Sequence, residues 1–361
     1  MFKNLKFILA AAFAGLFLFS CAEESEESNA SIQKRILDAY LEVNYPNKDY
    51  TITNSGLVIL NHQEGEGTSP DKYGAAYVKY SAKNLSGDYQ STMFEDVARR
   101  IGAYSPDIYY GPQLSTFDYG EITEGLNEAM KMMKKGSKMT VIIPPSLSKY
   151  DGENTGGYGY ATEKSESSSV NSIYEIEMYD VVTNLQKYQL DSIQKFRDIN
   201  YPGLDSTMNM FYFKKLSGTR TDTIPLNETA KVWYVGRLLD GYIFDTNIRD
   251  TAKKYGLWSE SKSYDPLEVT YESSYTGMAS SPGTMNVSGV TEGSSNNDDG
   301  ESGSYVPGFA KALKSMTYGD HAITFFGSGW GYGSKGSMSS GSGVPTYSML
   351  FFEIFVEEEN K

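Results

Sequence analysis

Two stretches of the chain repeat one another, and that repeat confines the fold to something built twice. Ser31-Ile32-Gln33-Lys34 returns as Ser192-Ile193-Gln194-Lys195. Each copy lies in a helical pattern: Ile32, Ile36, Leu37 and Tyr40 in the first, Leu190, Ile193, Phe196 and Ile199 in the second. Each helix runs into Asn-Tyr-Pro, at 44–46 and 200–202, where the proline cannot continue it. The later elements repeat in the same order. Strands ending in tyrosine are expected at 75–80 and 230–234. Residues 125–136 and 308–319 read as short helices closed by Gly136 and Gly319. Each leads into a strand, 140–143 or 322–326, and each copy closes on an alternating strand, 173–182 or 350–356. The chain therefore reads as two related α+β domains, 31–184 and 185–361, the second with its leading helix at 185–200. In each, one helix lies across an antiparallel sheet, which satisfies the two-layer rule. A length of 361 residues accommodates two domains, and 29 tyrosines with 35 glycines favour β-rich structure with long loops.

The N-terminus carries Lys3 and Lys6 and then an apolar stretch from 7 to 19, too short to span a bilayer and flanked like a secretory signal. It ends at Ser20 before Cys21, the sole cysteine. This junction resembles a bacterial lipobox. The resemblance implies a signal peptide over 1–20, cleavage before Cys21 and lipidation there, anchoring the protein to a lipid bilayer. No thiol would then remain for a disulfide or for catalysis. Residues 21–30, with Glu23, Glu24, Glu26 and Glu27, read as a solvated acidic tether. Its acidity resembles the export signal of surface lipoproteins in the Bacteroidetes group, which implies an outer-membrane location facing the periplasm or the cell surface. The net charge of −14 argues against nucleic acid, whose binding requires clustered Lys and Arg.

The stretch VWYVGRLLDGYIFDTN, 232–247, reads as a hairpin with rings around its turn and a carboxylate, Asp245, directly after Phe244. Val306-Pro307-Gly308-Phe309 opens the second short helix, Gly331-Tyr332-Gly333 follows the next strand, and Val344-Pro345 precedes the last. In order and spacing, residues 230–356 resemble an FKBP-type peptidyl-prolyl isomerase, and 52–182 resemble one more loosely. The resemblance implies two FKBP-like domains, each a curved antiparallel sheet wrapped around a short helix. It implies a substrate cleft lined by Tyr234, Phe244, Val306, Phe309, Val344 and Phe352. Tyr332 would donate its hydroxyl to the substrate carbonyl. Asp245, hydrogen-bonded to a tyrosine at the rim, would polarise the twisting amide. No cofactor is implied, the partner is a proline-containing polypeptide, and the chain is expected to act as a monomer. Phe309 stands where the family usually has tryptophan, and Leu267 and Val269 stand where two aromatics are usual. In the first domain Gly87-Asp88-Tyr89-Gln90-Ser91-Thr92 occupies the place of Gly-x-x-Phe-Asp, and Leu126 that of the floor tryptophan. That domain is expected to be an inactive relative.

The second domain carries an insertion at about 246–304, with a helical piece at 251–258 and a run at 294–301 that faintly resembles a calcium loop but lacks its ligand spacing. Its counterpart at 92–120 is tyrosine-rich, suited to a binding surface or a flap over the cleft. His62 and His321 have no second ligand at metal spacing, so no metal is expected. No serine is paired with a plausible base. Two functions remain open: an envelope-anchored prolyl isomerase acting as a folding helper, its second domain active, or a non-catalytic FKBP-like binding module on a surface lipoprotein.

Overall fold

The computed structural model describes residues 27–119, 121–150, 169–207, 209–221, 224–225, 228–271, 284–287, 306–337 and 343–359. The signal-like stretch, Cys21, the first glutamates of the tether and the calcium-like run 294–301 lie outside the described residues. The chain forms two compact units, one ending at Lys48 and the other running from Asp49 to Lys361. The first holds helix α1 (Asn29–Asn44), capped by the Ser28 hydroxyl on the Ser31 N–H and stopped at Tyr45, before the proline.

The second unit contains two seven-stranded sheets. The first comprises β1 (Thr51–Ile52), β2 (Val58–Gln63), β3 (Ala75–Asn84), β4 (Tyr89–Thr92), β5 (Gln113–Thr116), β6 (Lys138–Ile143) and β7 (Ser172–Val182), with helices α2 (Glu95–Arg100) and α3 (Glu124–Lys131). Helix α4 (Leu185–Asn200) follows. The second sheet comprises β8 (Phe211–Ser217), β9 (Thr229–Leu238), β10 (Ile243–Thr246), β11 (Leu267–Tyr271), β12 (Thr284–Val287), β13 (His321–Phe326) and β14 (Leu350–Val356), with α5 (Arg249–Lys254) and α6 (Pro307–Leu313).

The two sheets share one plan. The long strand β3 or β9 pairs with the closing strand β7 or β14, which pairs with β6 or β13, which pairs with the entering strand β2 or β8. The other edge of the long strand carries two short partners, β4 or β10 towards its C-terminal end and β5 or β11 towards its N-terminal end. Residues 246–267 repeat 92–113 element for element. Both contain a six-residue helix, and the bond from the Ser105 N–H to the Tyr110 hydroxyl recurs between Ser259 and Tyr264. The length unique to the second half therefore falls beyond β11, later than the insertion expected from 246. The helical piece expected at 251–258 is α5, which starts two residues earlier and ends four residues earlier.

Two further details differ from the sequence reading. The second sheet is antiparallel except at its edge, where β12 runs parallel to β11. The short helices end at Lys131 and Leu313, well before Gly136 and Gly319. Those glycines adopt left-handed φ values of 82° and 77° and turn the chain into β6 and β13 instead of capping a helix. Their N–H groups bond to Met178 O and Glu357 O.

In the second sheet β13 and β14 are buried on both faces, which makes this part three layers thick. Ala322, Phe326, Leu350, Phe352, Ile354 and Val356 face α6 in the main core. Ile323, Phe325 and Phe351 alternate with them and meet Ile193 and Phe196 of α4 on the opposite face. This is why β13 and β14 read as almost continuous apolar runs. The Phe196 ring meets Phe325 and Phe351 edge-on at 5.2 and 6.0 Å. Phe351→Ala is expected to destabilise the protein by about 3–5 kcal/mol through lost burial and the cavity left behind, read as a shift in the urea midpoint.

Candidate functional site

The β9–β10 hairpin turns through Gly241, at φ 98°, with the Leu238 N–H donating to Tyr242 O at 2.8 Å across it. The ladder then slips: Ile243 faces Arg237, Asp245 faces Gly236, and Phe244 is the extra residue of a bulge. A bulge re-aims side chains. Phe244 turns inward and is 2% exposed, while Asp245 stays at the edge with 31% of its side chain in solvent.

Asn247 fixes the hairpin from beneath. Its buried amide donates to Val232 O at 2.9 Å and to Asp265 O at 3.2 Å, and accepts from the Tyr234 N–H at 2.8 Å. Thr246 adds a bond to Tyr234 O at 2.6 Å. Strand β9, the bulge and the approach to β11 are thereby held together by one side-chain amide, which turn chemistry alone did not bring out.

Around the bulge the rings converge. Phe244 meets Phe352 edge-on at 5.7 Å and Tyr332 at 6.4 Å. Phe309, at the N-terminal end of α6, is 5.0 Å from Phe352 and 5.4 Å from Tyr234. Tilted and edge-on pairs at these distances are the favoured aromatic arrangements. Val306 and Val344 are buried in the same cluster. All the residues expected to line a cleft are thus assembled in one place. Gly236 makes this possible: a Cβ there would lie 2.8 Å from the Phe244 ring and 2.9 Å from that of Phe352. Gly236→Ala is expected to cost about 1–3 kcal/mol by overpacking, measured by chemical denaturation.

Asp245 uses both carboxylate oxygens. One accepts the Tyr234 hydroxyl at 2.7 Å, and the other is paired with the Lys262 ammonium. Lys262 was not singled out from the sequence. It lies on the loop after α5, where the aligned residue of the first half is Ile108, and only the folded loop brings it to the acid. Burial, reinforced by Asp245, holds the Tyr234 phenol well above its ordinary range. The Tyr332 phenol is pushed up to about 12, chiefly by burial and then by Asp245. Among the described residues the Tyr332 hydroxyl has no hydrogen-bond partner, so it remains a neutral donor. A pKa raised on folding makes its contribution to stability complete below pH 10.0 and lost as the pH climbs towards about 12. Tyr332→Phe is expected to flatten the fall of the urea midpoint across that window.

The first half keeps the scaffold and loses the acid. Its hairpin carries the same bulge, with Gln90 in the place of Phe244 and Ser91 in that of Asp245. Ala82 occupies the position of Gly236, Leu126 that of Phe309 and Tyr174 that of Phe352. Tyr80 and Tyr174 lie 5.9 Å apart, and Tyr150 is near enough to raise both phenols, although burial is the larger cause. One register step away, the Ser81 and Thr92 hydroxyls bond to each other at 2.7 Å, at the places of Val235 and Thr246. His321 stacks on Phe355 and bonds to Glu353. Among the described residues no cluster of three or more His, Cys, Asp or Glu side chains could hold a metal ion, and no helix is long and apolar enough to cross a membrane.

Residues 258–357 match the family model of the FKBP-type peptidyl-prolyl cis-trans isomerases. The match takes in Val306, Phe309, Tyr332, Val344 and Phe352 and begins after the hairpin bearing Asp245. Similar solved structures include the three FKBP domains of wheat FKBP73, with 17% identity over 85% of this chain and 98% of that one and a TM-score of 0.27. They also include FkpA from Escherichia coli, with 21% identity over 50% and 73% and a TM-score of 0.29. A peptidyl-prolyl cis-trans isomerase from Pseudomonas syringae pv. tomato has 18% identity over 49% and 96% and a TM-score of 0.29. No curated protein matches the chain. The architecture is α+β, with two mostly antiparallel seven-stranded sheets of one plan and few helices.

Proposed function

We propose that the second half is an FKBP-type peptidyl-prolyl cis–trans isomerase acting on proline-containing polypeptides. The observation that carries this reading is Asp245, held by the Tyr234 hydroxyl at the edge of the ring cluster of Phe244, Phe309, Phe352 and Tyr332. Rotation about an X-Pro bond is slow because amide resonance sets a barrier of about 18–20 kcal/mol. Water stabilises the planar, charge-separated amide more than the twisted one. An apolar site with few oriented polar groups withdraws that advantage. The rings and the aliphatic walls of Val306 and Val344 accept the prolyl ring, which has no N–H to satisfy. The free Tyr332 hydroxyl orients the carbonyl, and Asp245 polarises the amide as it twists. The reaction needs no covalent step.

The N-terminal sequence extends the reading. With Cys21 lipidated, the protein would be tethered to a membrane and would act as a folding helper for envelope or exported proteins. One observation favours the second reading, a binding module without turnover. Lys262 neutralises Asp245, so the carboxylate is less free to polarise a substrate than an unpaired acid would be.

Exchange of a blocked proline-containing tetrapeptide, followed by NMR with the full chain, tests both readings. Catalysis is expected, with kcat/KM falling about 10–100-fold in Asp245→Ala and in Tyr332→Phe, in line with removal of a group that stabilises the transition state. Binding of the peptide without accelerated exchange would establish the module instead. Loss of the N-terminal lipid on Cys21→Ser, read as release from the membrane fraction, tests the anchoring.

A further inference from the structure

We propose that Tyr109, which belongs to the first half, is a positioning residue for the site in the second half; the inference rests on the reading of that site given above. The connection from α2 to β5 crosses to the other sheet. There the Tyr109 ring lies 5.2 Å from that of Tyr242, and its hydroxyl donates to Asp240 Oδ2 at 2.7 Å. Asp240 Oδ1 accepts from the Tyr242 N–H at 3.0 Å, and the Tyr242 hydroxyl donates to Pro106 O at 3.4 Å. All these contacts fall on the turn of the hairpin that carries Phe244 and Asp245.

The same segment also bears on the other wall of the site. At Gly343, directly before Val344, a Cβ would lie 2.6 Å from Asp107 O, 2.9 Å from Tyr109 N and 2.9 Å from the Tyr242 hydroxyl. Residues 106–109 therefore sit wedged between the hairpin and the segment bearing Val344, and Tyr109 packs on the second half's core cluster. Tyr109 also helps to line a cleft of ≈ 200 Å³, with Tyr77, Leu114, Tyr188, Leu239 and Asp240 among others. Tyr109 is the first-half side chain that bonds to the hairpin turn, while Thr346 on the other wall also donates to Leu114 O at 3.4 Å. Burial and the neighbouring Asp240 push the Tyr109 phenol far above the ordinary tyrosine range, so it stays a donor.

The internal duplication separates the roles of two adjacent tyrosines. Tyr110 and Tyr264 occupy equivalent places and do the same local work, accepting the Ser105 and Ser259 N–H groups. Tyr109 aligns with Ser263, whose hydroxyl bonds only to nearby Asp265 among the described residues. The tyrosine at 109 is therefore not demanded by the shared scaffold. What it holds is the neighbouring site.

The test uses the full chain, with Tyr109→Ala, the near-isosteric Tyr109→Phe, Asp240→Asn and the double variant Tyr109→Phe/Asp240→Asn. Amide hydrogen exchange is followed at 238–246 and 343–349, with β13 and β14 as internal reference. Kinetics on the blocked proline tetrapeptide separate KM from kcat. Loss of one hydrogen bond at this brace predicts exchange about 3–10-fold faster in those two segments and a KM raised by a similar factor. The reference strands should remain protected and kcat should stay within about twofold, a split that general loss of stability would not produce. Tyr109→Phe and Asp240→Asn are expected to be non-additive. Unchanged exchange in both segments overturns the proposal, and so does faster exchange with KM unaltered. If the parent chain binds the peptide without turnover, the same comparison is made on Kd. If it neither binds nor turns over, the isomerase and binding readings fail and hydrogen exchange alone judges the brace.

Discussion

At Gly236 the backbone of β9 comes so close to the rings of Phe244 and Phe352 that a single methyl group would be an intrusion. That approach depends on the bulge at Phe244, which adds one residue to β10 and turns a ring inward without turning the next carboxylate with it. The amide of Asn247 then ties the bulged segment to β9 and to Asp265. Everything chemically interesting in the second half follows from these three local facts. Without the bare glycine there is no room for the ring pair, and without the bulge Asp245 does not stand at the rim. Without the asparagine the hairpin has no fixed depth.

Much of this was legible in the sequence because it rests on local patterns. The Asp240-Gly241 turn, the alternation along 350–356 and the proline stops of α1 and α4 each follow from neighbouring residues. Phe244, Phe309 and Phe352 were legible as one group only through their order along the chain, since nothing local says that three separated rings meet. What stayed hidden has a common physical character. Lys262 reaches Asp245 through the folding of a loop, Asn247 acts through its two ends on β9 and on the loop before β11, and Phe325 and Phe351 meet a helix that nothing local announces. Helix α4, covering the outer face of the sheet, explains why β13 and β14 are apolar on both faces. The short helices were read too long because Gly136 and Gly319 look like caps, whereas the left-handed turn they supply is spent on entering a strand.

The two halves also show which parts of a duplicated scaffold are free to diverge. Topology, bulge, six-residue helix and the serine–tyrosine bond persist in both. The residues inside the bulge do not: Phe244 and Asp245 are matched by Gln90 and Ser91. Backbone constraints have thus been kept where side-chain chemistry has been exchanged. At the corresponding place the first half brings together Tyr80 and Tyr174, with no carboxylate bonded to them among the described residues, and its loop has Tyr109 where the second has Ser263.

Only Thr183 and Asn184 lie between β7 and α4, and Val182, Leu185 and Tyr188 share one apolar cluster with Ala75 and Leu114 of the first sheet. Beyond that joint, α4 lies against the outer face of the second sheet, where Gln189 bonds to Ser328. A helix used on both sides in this way leaves no slack between the copies. Either copy produced alone would expose to water the part of this apolar cluster that the other now covers.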